Sequence, residues 1–334
     1  MRKIFLPLFL LMIFVFTGCG NSASKINLPD EEKNIDVEEV KEVNGDLKIT
    51  MLNVGQGDAF LIQTKSQNIL IDTSDLDERS KLVAELDKAG VTEFDKIILT
   101  HPHADHIGGV EKLLKDKKYI VKEICDNGVP ATSKLYLNYL KELKAQKINY
   151  KNLVAGDVLD FGDGVNFEVL YPTKKIVEEA TKKVPKNDPN NESIVGRLTY
   201  KKFSMMFTGD AEKSAEQEIL DGGADLKSQV LKSGHHGSYT ASSADFVKAI
   251  QPKYVFISAG ERSEKRGGNT YGHPHLEPLE TYLQNGIESK NIFLSCKNGT
   301  VILKTDGKNI SVTPENEEDW VESWINEKKK TAKK

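Results

Sequence analysis

The sequence predicts an α/β fold, with some α+β character, in which two mixed β-sheets pack face to face beneath outer helices. Strand-like segments occur in two runs, and helix-like segments lie between the strands of each run. Residues 47–54 alternate as a half-buried strand does, whereas residues 96–100 (Lys-Ile-Ile-Leu-Thr) are typical of a short buried strand. No short-period repeat is visible, so a repeat architecture is not indicated.

The pattern assigns elements in chain order. In the first half, strands are expected at 47–54, 59–63, 68–71 and 96–100, with a helix at 79–89 that ends at Gly90. In the second half, strands are expected at 165–170, 196–200, 203–207, 228–232, 254–258, 292–295 and 300–304. Helices are expected at 211–220, 246–250 and 276–283.

Composition indicates a folded domain without a broad basic surface. The chain has 334 residues, is 38% apolar and carries 46 basic against 50 acidic residues, a formal net charge of −4. This balance gives no support for broad electrostatic binding to nucleic acid, which usually depends on a basic face. A local basic groove or metal-assisted binding of phosphate stays open.

The N-terminus carries a targeting signal. Arg2 and Lys3 precede an apolar run at 4–16, which is too short for an ordinary membrane-spanning helix and ends in Thr-Gly-Cys19. Residues 1–18 therefore predict a lipoprotein signal peptide, with lipidation at Cys19. The alternative is an uncleaved anchor. Either interpretation places the body outside the cytoplasmic membrane, and lipidation would hold it at the extracellular face.

Both ends of the predicted domain are polar. Residues 19–46 are acidic with few apolar positions, so they are interpreted as a tether. The domain is expected to occupy residues 47–312. Residues 313–334 are interpreted as a polar and basic tail, either a solvated terminus or a contact for anionic lipid or wall polymer.

The segment from Thr100 to His106 (Thr-His-Pro-His-Ala-Asp-His) predicts a metal site. It follows a buried strand, and in an extended chain the side chains of His101 and His103 point the same way and can share one cation. Asp105 and His106 come after the chain turns and can reach a neighbouring cation. Imidazole and carboxylate ligands suit zinc, manganese or iron.

This segment resembles the signature of the metallo-β-lactamase superfamily, whose four-layer αββα sandwich holds a site at the edge of its two sheets. Residues 68–72 resemble the first motif, in which Asp72 would orient the ligands. Residues 205–210 resemble the fourth motif, whose Asp210 would bridge two metals. Residues 231–238 resemble the fifth motif. The resemblance covers about residues 47–305.

Three further segments are similar to the hydrolase domain of ComEC-type competence proteins. They are residues 53–58 (Asn-Val-Gly-Gln-Gly-Asp), 235–238 (His-His-Gly-Ser) and 271–274 (Tyr-Gly-His-Pro). Those proteins are thought to degrade one DNA strand during uptake, and the same group includes wall-associated phosphorylcholine esterases. The resemblance therefore implies a phosphodiester substrate, either DNA or a wall polymer.

The third motif departs from the family. No His lies between His106 and His235, and residues 188–195 resemble the Asn-x-x-Ser form of the competence group. The cation near His101 and His103 would then be completed by Asn190, Asn191, water or the second His of the 235–236 pair. Position favours His235 as ligand, with His236 a ligand or a phosphate contact. Ser193 and Ser238 would act as supporting or substrate-contacting residues.

The resemblance implies a hydrolase with two divalent ions, zinc or manganese, and the N-terminal signal implies that it is exported. The ions would polarise a phosphodiester and lower the pKa of a water between them. Asp105, Asp210 and His273 are the expected catalytic residues, with His273 contacting a phosphate oxygen or protonating the leaving group. A phosphodiesterase acting on DNA is the first hypothesis, and a phosphorylcholine or teichoic-acid esterase is the second. A binding protein that only retains a metal site is the third.

Overall fold

The computed structural model describes residues 45–184, 188–263 and 268–331. The described strands, in chain order, are β1 (Leu47–Met51), β2 (Phe60–Gln63), β3 (Asn68–Ile71), β4 (Glu93–Phe94), β5 (Lys96–Leu99), β6 (Ile120–Val121), β7 (Glu123–Asp126), β8 (Asn149–Asn152), β9 (Val158–Asp160), β10 (Val165–Tyr171), β11 (Val195–Tyr200), β12 (Phe203–Phe207), β13 (Val230–Lys232), β14 (Tyr254–Ile257), β15 (Ile292–Leu294), β16 (Val301–Thr305) and β17 (Ile310–Pro314).

The described helices, in chain order, are α1 (Arg79–Ala89), α2 (Ala104–Ile107), α3 (Val110–Lys115), α4 (Lys134–Gln146), α5 (Lys174–Lys183), α6 (Lys213–Asp221), α7 (Ala244–Ile250), α8 (Leu276–Gln284), α9 (Ser295–Asn298) and α10 (Val321–Thr331). Local chemistry sets several of their ends. The side chain of Ser133 accepts a hydrogen bond from the N–H of Tyr136 at the start of α4. Gly90 ends α1 with φ of 69°, a conformation that glycine adopts without strain.

Two mixed sheets form the centre of the molecule. The first has the strand order β17-β16-β1-β2-β3-β5-β7-β8, and the second has the order β15-β14-β13-β12-β11-β10-β9. Strand β1 lies between β2 and β16, so strands from the two ends of the domain are neighbours. Strands β3, β5, β7 and β8 are parallel, as are β12 to β15. The carboxyl ends of parallel strands share one edge of a sheet, where ligands commonly bind.

Three apolar clusters show the four layers. One lies between the sheets and contains Phe60, Phe167 and Phe207, whose rings make edge and tilted contacts. A second cluster packs the first sheet against α1, α3 and α4. A third packs the second sheet against α6, α7, α8 and the start of α10. The predicted αββα sandwich of mixed sheets is therefore confirmed.

The structure corrects the predicted C-terminal boundary. Strand β17 pairs with β16, and Trp320 and Val321 at the start of α10 are buried in the third cluster. The interpretation of residues 313–334 as a tail is therefore wrong for most of this segment. The segment is strongly charged, which is typical of a solvated terminus. Its contact with the domain depends mainly on the two buried side chains of Trp320 and Val321, which the composition does not reveal.

Several predictions fall outside the described residues. The signal peptide at 1–18, Cys19 and all but the last two residues of the tether at 19–46 are among them. Within the part of the chain that the structure describes, no helix combines the length and apolar character needed to cross a bilayer. Cys125 and Cys296 are both free thiols.

Replacing Trp320 by Ala should test the docking of α10. The Trp320 ring is buried and its Nε1 donates a hydrogen bond of 3.0 Å to the carbonyl of Ile292. Loss of a buried Trp should lower the free energy of unfolding by about 3–5 kcal/mol, measured by urea denaturation. Glu322→Ala, an exposed position on the same helix, is the matched control, with a change within ~0.5 kcal/mol. Equal stabilities of the two variants would contradict the docked helix.

Candidate metal centre

The ends of four strands bring the candidate ligands together. In the first sheet, β3 and β5 end directly before Asp72 and before the segment 100–106. In the second sheet, β12 and β13 end shortly before Asp210 and before the pair His235–His236. Residues far apart in the sequence therefore meet at the edge shared by both sheets.

Four of the predicted ligands form one compact group. Ligand atoms of Asp105, His106, Asp210 and His236 all lie within 4.8 Å of one another. Asp210 is central, because its Oδ2 lies 3.2 Å from His106 Nε2 and 3.4 Å from His236 Nε2. The Oδ2 of Asp105 lies 3.2 Å from the same His236 nitrogen.

The atoms of this group fit a divalent cation. Among the described residues, the buried atoms His106 Nε2, His236 Nε2 and Asp210 Oδ1 make no hydrogen bond of good geometry, although both nitrogens lie within ion-pair distance of a carboxylate oxygen. Buried polar atoms are normally paired, so three unpaired atoms in one group point to a ligand. Imidazole and carboxylate without thiolate is a donor set that suits zinc or manganese.

His101 and His103 lie beside this group but outside it. His101 Nε2 is 4.0 Å from Asp210 Oδ2 and 3.0 Å from His103 Nδ1. The His103 side chain is 39% exposed, and its Nε2 lies 3.8 Å from Asp188 Oδ1. The other nitrogen of His101 faces Ser193 Oγ at 3.2 Å. A second cation here would share Asp210 and have a more open environment.

The segment in place of the third motif mainly positions its neighbours. Ser193 Oγ accepts a hydrogen bond of 3.0 Å from the backbone N–H of Asp210. The side chain of Asn191 donates to the Glu212 carboxylate and accepts from the Glu212 N–H, both at 3.2 Å. Asn190 is buried, and its Oδ1 lacks a partner within the described ranges. Asn190 is therefore the better candidate of the two asparagines for a ligand contact.

Asp72 orients the His motif, as the resemblance implies. One of its oxygens accepts a hydrogen bond of 2.8 Å from the Thr100 N–H, and the other accepts the Thr100 hydroxyl at 2.8 Å. His106 Nδ1 lies 2.8 Å from the latter oxygen. This contact fixes the ring and leaves His106 Nε2 free to face Asp210.

Two buried charged residues of the site were missed by sequence reasoning. Lys232 Nζ lies 2.5 Å from Asp58 Oδ2 and 3.7 Å from Asp210 Oδ1, and it donates to the Gly209 carbonyl at 2.7 Å. Its positive charge compensates two carboxylates that would otherwise be buried together. The available signal was a lysine at the end of the buried strand β13 and an acid in the Asn53–Asp58 motif.

The electrostatics of the group are those of a cation site. Burial would lower the pKa of His106, but Asp210 and Asp72 raise that pKa well above its usual range. Burial also opposes protonation of His236, yet Asp210 and Asp58 raise its pKa. The pKa of Asp210 is lowered well below normal, against burial, by these two imidazoles. Without metal, protonated imidazoles therefore balance the carboxylates, and a bound cation would replace their protons.

The turn that carries the histidine pair is locally constrained. His235 and His236 have φ of 45° and 52°, in the left-handed region that most residues avoid. Ser238 is buried and its Oγ accepts a hydrogen bond of 3.0 Å from the Thr240 hydroxyl. Ser238 thus holds this turn, and within the described part of the chain its side chain makes no hydrogen bond to the four-residue group.

Geometry favours His236 over His235 as the ligand beside Asp105, opposite to the preference drawn from sequence position. His236 Nδ1 donates to the Ser258 carbonyl at 2.8 Å, which leaves Nε2 directed at the group. His235 Nδ1 lies 3.0 Å from the Thr240 hydroxyl and 3.2 Å from Glu212, and its Nε2 is 3.8 Å from Asp210.

His273 lies against the site as expected. Its ring is buried and nearly parallel to that of His236, with centroids 6.0 Å apart. Asn269 accepts the His273 N–H at 2.9 Å, and Trp324 of α10 donates to the carbonyl of the next residue, Pro274. Burial, followed by the neighbouring imidazoles, lowers the pKa of His273 to about 2. A neutral ring favours a hydrogen bond to phosphate over protonation of the leaving group.

Fold and site together define a metal-dependent hydrolase scaffold. The family model of the metallo-beta-lactamase superfamily matches residues 52–261. The chain belongs to the metallo-β-lactamase superfamily, a family of hydrolases that typically binds divalent metals. The resemblance drawn from the motifs is confirmed.

The relatives include competence proteins. ComE operon protein 3 of Bacillus subtilis (strain 168) is 31% identical over an alignment of 272 residues, which covers 76% of this chain and 32% of that protein. Competence protein ComA of Neisseria gonorrhoeae is 30% identical over 229 residues, 68% of this chain and 28% of that protein. The chain thus spans less than a third of either relative. Among solved structures, the metallo-beta-lactamase fold protein YhfI from Bacillus subtilis matches with a TM-score of 0.47 and 13% identity, covering 77% of this chain and all of that one.

Separate alanine variants should distinguish the two histidines of the pair. His236→Ala should lower zinc and manganese affinity by more than about tenfold, because it removes a buried nitrogen of the group. His235→Ala is the matched control and should have a smaller effect. Competition against a chromogenic chelator measures both affinities, and circular dichroism checks folding. A larger loss in His235→Ala would reverse the assignment.

Proposed function

We propose that this protein is an exported phosphodiesterase that acts on DNA through a site for two divalent ions, zinc or manganese. The observation that carries the proposal is the group Asp105, His106, Asp210 and His236, with its unpaired buried nitrogen and oxygen atoms. The competence proteins among the relatives favour DNA over other phosphodiesters.

The chain's own residues would divide the work. When bound, the ions would supply polarisation of the phosphoryl group and a lowered pKa for water. Asp210 belongs to the four-residue group and its Oδ2 also faces His101 at 4.0 Å, so it would be common to both ions. The buried ion pair of Lys232 and Asp58 balances charge beside the ligands of these ions. A neutral His273 would donate its ring N–H to a phosphate oxygen.

Asp210→Ala should abolish metal-dependent cleavage. Loss of this central ligand should lower the rate on labelled linear DNA and on bis-p-nitrophenyl phosphate by at least about 100-fold. Rates are measured with residues 20–334 in manganese, zinc or chelator. Asp221→Ala, an exposed acid on α6, is the control and should keep the parental rate.

The outcomes separate the candidate functions. Metal-dependent cleavage of both substrates that is lost in Asp210→Ala supports the nuclease. Cleavage of the small diester without DNA would favour the wall esterase or another phosphodiesterase. Metal binding without turnover would favour a binding protein. Full activity of Asp210→Ala would eliminate the mechanism.

We also propose that lipidation at Cys19 anchors the domain at the extracellular face of the cell membrane. The support is the signal-like segment at 1–18 and the small residues before Cys19. In bacteria that express the full chain, Cys19→Ser should move the protein from the membrane pellet to the soluble exported fraction, since stable anchoring depends on acyl chains. Immunoblots of both fractions check this, and Ser24→Ala is the control. Membrane retention of Cys19→Ser would favour an uncleaved anchor.

A further inference from the structure

A stack of rings leads from the candidate metal centre to the protein surface. His236 and His273 are nearly parallel, with an interplanar angle of 19°. Tyr271 continues the stack, since its ring lies 5.6 Å from that of His273 at an angle of 15°. The inner members are buried, but 71% of Tyr271 is exposed. An exposed aromatic ring that ends an internal stack has a place for one more flat ring.

A second exposed tyrosine joins the same group. The Tyr239 ring lies 5.1 Å from that of His275, which in turn lies 4.8 Å from the His273 ring. Tyr239 is 54% exposed. The peptide N–H of Tyr239 donates to His275 Nδ1 at 3.1 Å, which links the two loops. We call Tyr239 and Tyr271 the aromatic platform. Both tyrosines lie beside the site, and the rings of His273 and His275 pack beneath them.

Cations accompany the platform. Lys328 of α10 donates to the carbonyl of Gly272, the residue after Tyr271. Arg262 forms an isolated β-bridge with Asn269, the residue that accepts the His273 N–H, and its charge, second to burial, lowers the pKa of the Lys328 amine. Trp324 lies 5.3 Å below the same amine. Two basic side chains, Lys328 and Arg262, thus adjoin the rings, and Glu277 and Glu327 are the acids that also act on the Lys328 amine.

We propose that the aromatic platform stacks unpaired bases of a single-stranded nucleic acid and so delivers its backbone to the metal centre. This inference rests on the proposed function and adds a binding subsite to it. Rings beside cations are the combination by which proteins hold single strands without reading their sequence. Bases inside a duplex have no free face to offer.

The charges distinguish this ligand from a choline-bearing polymer. Aromatic rings also bind quaternary ammonium groups, but Lys328 and Arg262 would repel such a cation. They would attract a phosphate backbone. A nucleic acid can use both features, because its bases stack on the rings and its phosphates pair with the basic side chains. A teichoic-acid chain without bases can pair only with the basic side chains.

The platform is tested by binding in an Asp210→Ala background, which prevents cleavage. The probe is a fluorescein-labelled oligothymidylate of about 12 nucleotides, and anisotropy gives the dissociation constant. Tyr271→Ala and Tyr239→Ala should each weaken binding by about tenfold, while Tyr271→Phe and Tyr239→Phe keep it within about twofold. Leu137→Ala removes an exposed apolar side chain elsewhere and should change nothing.

Other outcomes overturn the platform. Parental binding by both alanine variants would do so, as would equal losses in the phenylalanine variants, since stacking needs only the ring. Equal affinity for a duplex of the same length, or full displacement of the probe by phosphorylcholine, would also overturn it.

Turnover separates this inference from the proposed function. In the active protein, Tyr239→Ala should raise KM for the oligonucleotide about tenfold relative to its effect on bis-p-nitrophenyl phosphate, which has no nucleotide chain to extend from the metal centre onto the platform. Equal effects on both substrates would overturn the platform and leave the phosphodiesterase intact. Tyrosine-dependent binding without any metal-dependent turnover would overturn the phosphodiesterase and leave the platform.

Discussion

Compensation of buried negative charge is the constraint on which this site depends. Asp58, Asp72 and Asp210 are almost completely removed from water where the two sheets meet. Each carboxylate survives there because a specific partner faces it: Lys232 for Asp58, Thr100 and His106 for Asp72, and the imidazoles for Asp210. These partners lie at strand ends or in the segments that follow them. The packing of the two sheets therefore places each compensating group beside its carboxylate.

The two halves of the sandwich make different contributions. The first sheet supplies the His motif and the carboxylate that orients it, while the second supplies Asp210 and His236. The inner face between them is filled by aromatic and aliphatic side chains. A change in the packing of this layer would therefore displace one set of ligands relative to the other. The distances within the polar site thus depend on the close packing of the apolar layer below it.

Local patterns predicted the strands and helices with strong periodicity, but they did not predict the whole fold. The helix at 79–89 and the strands at 68–71 and 203–207 were predicted with the observed bounds, because their burial alternates cleanly or is continuous. The helices α4, α5 and α10 were missed because their sequences are rich in lysine and each buries only one to three side chains. Tertiary contacts decide such segments.

The candidate site shows the same division. Ligand types and most positions followed from the compact motif and its resemblance, whereas the roles of Asp58 and Lys232 arise only from contacts between strands distant in sequence. The choice within the histidine pair depended on a left-handed turn that sequence alone did not reveal.

Non-local pairing also affects how the chain folds. Since β1 lies between β2 and β16, the first sheet cannot be completed until the strand that ends at Thr305 has been synthesised. Pairing between residues so distant in the sequence slows folding, so the first sheet is completed only after most of the chain has been synthesised.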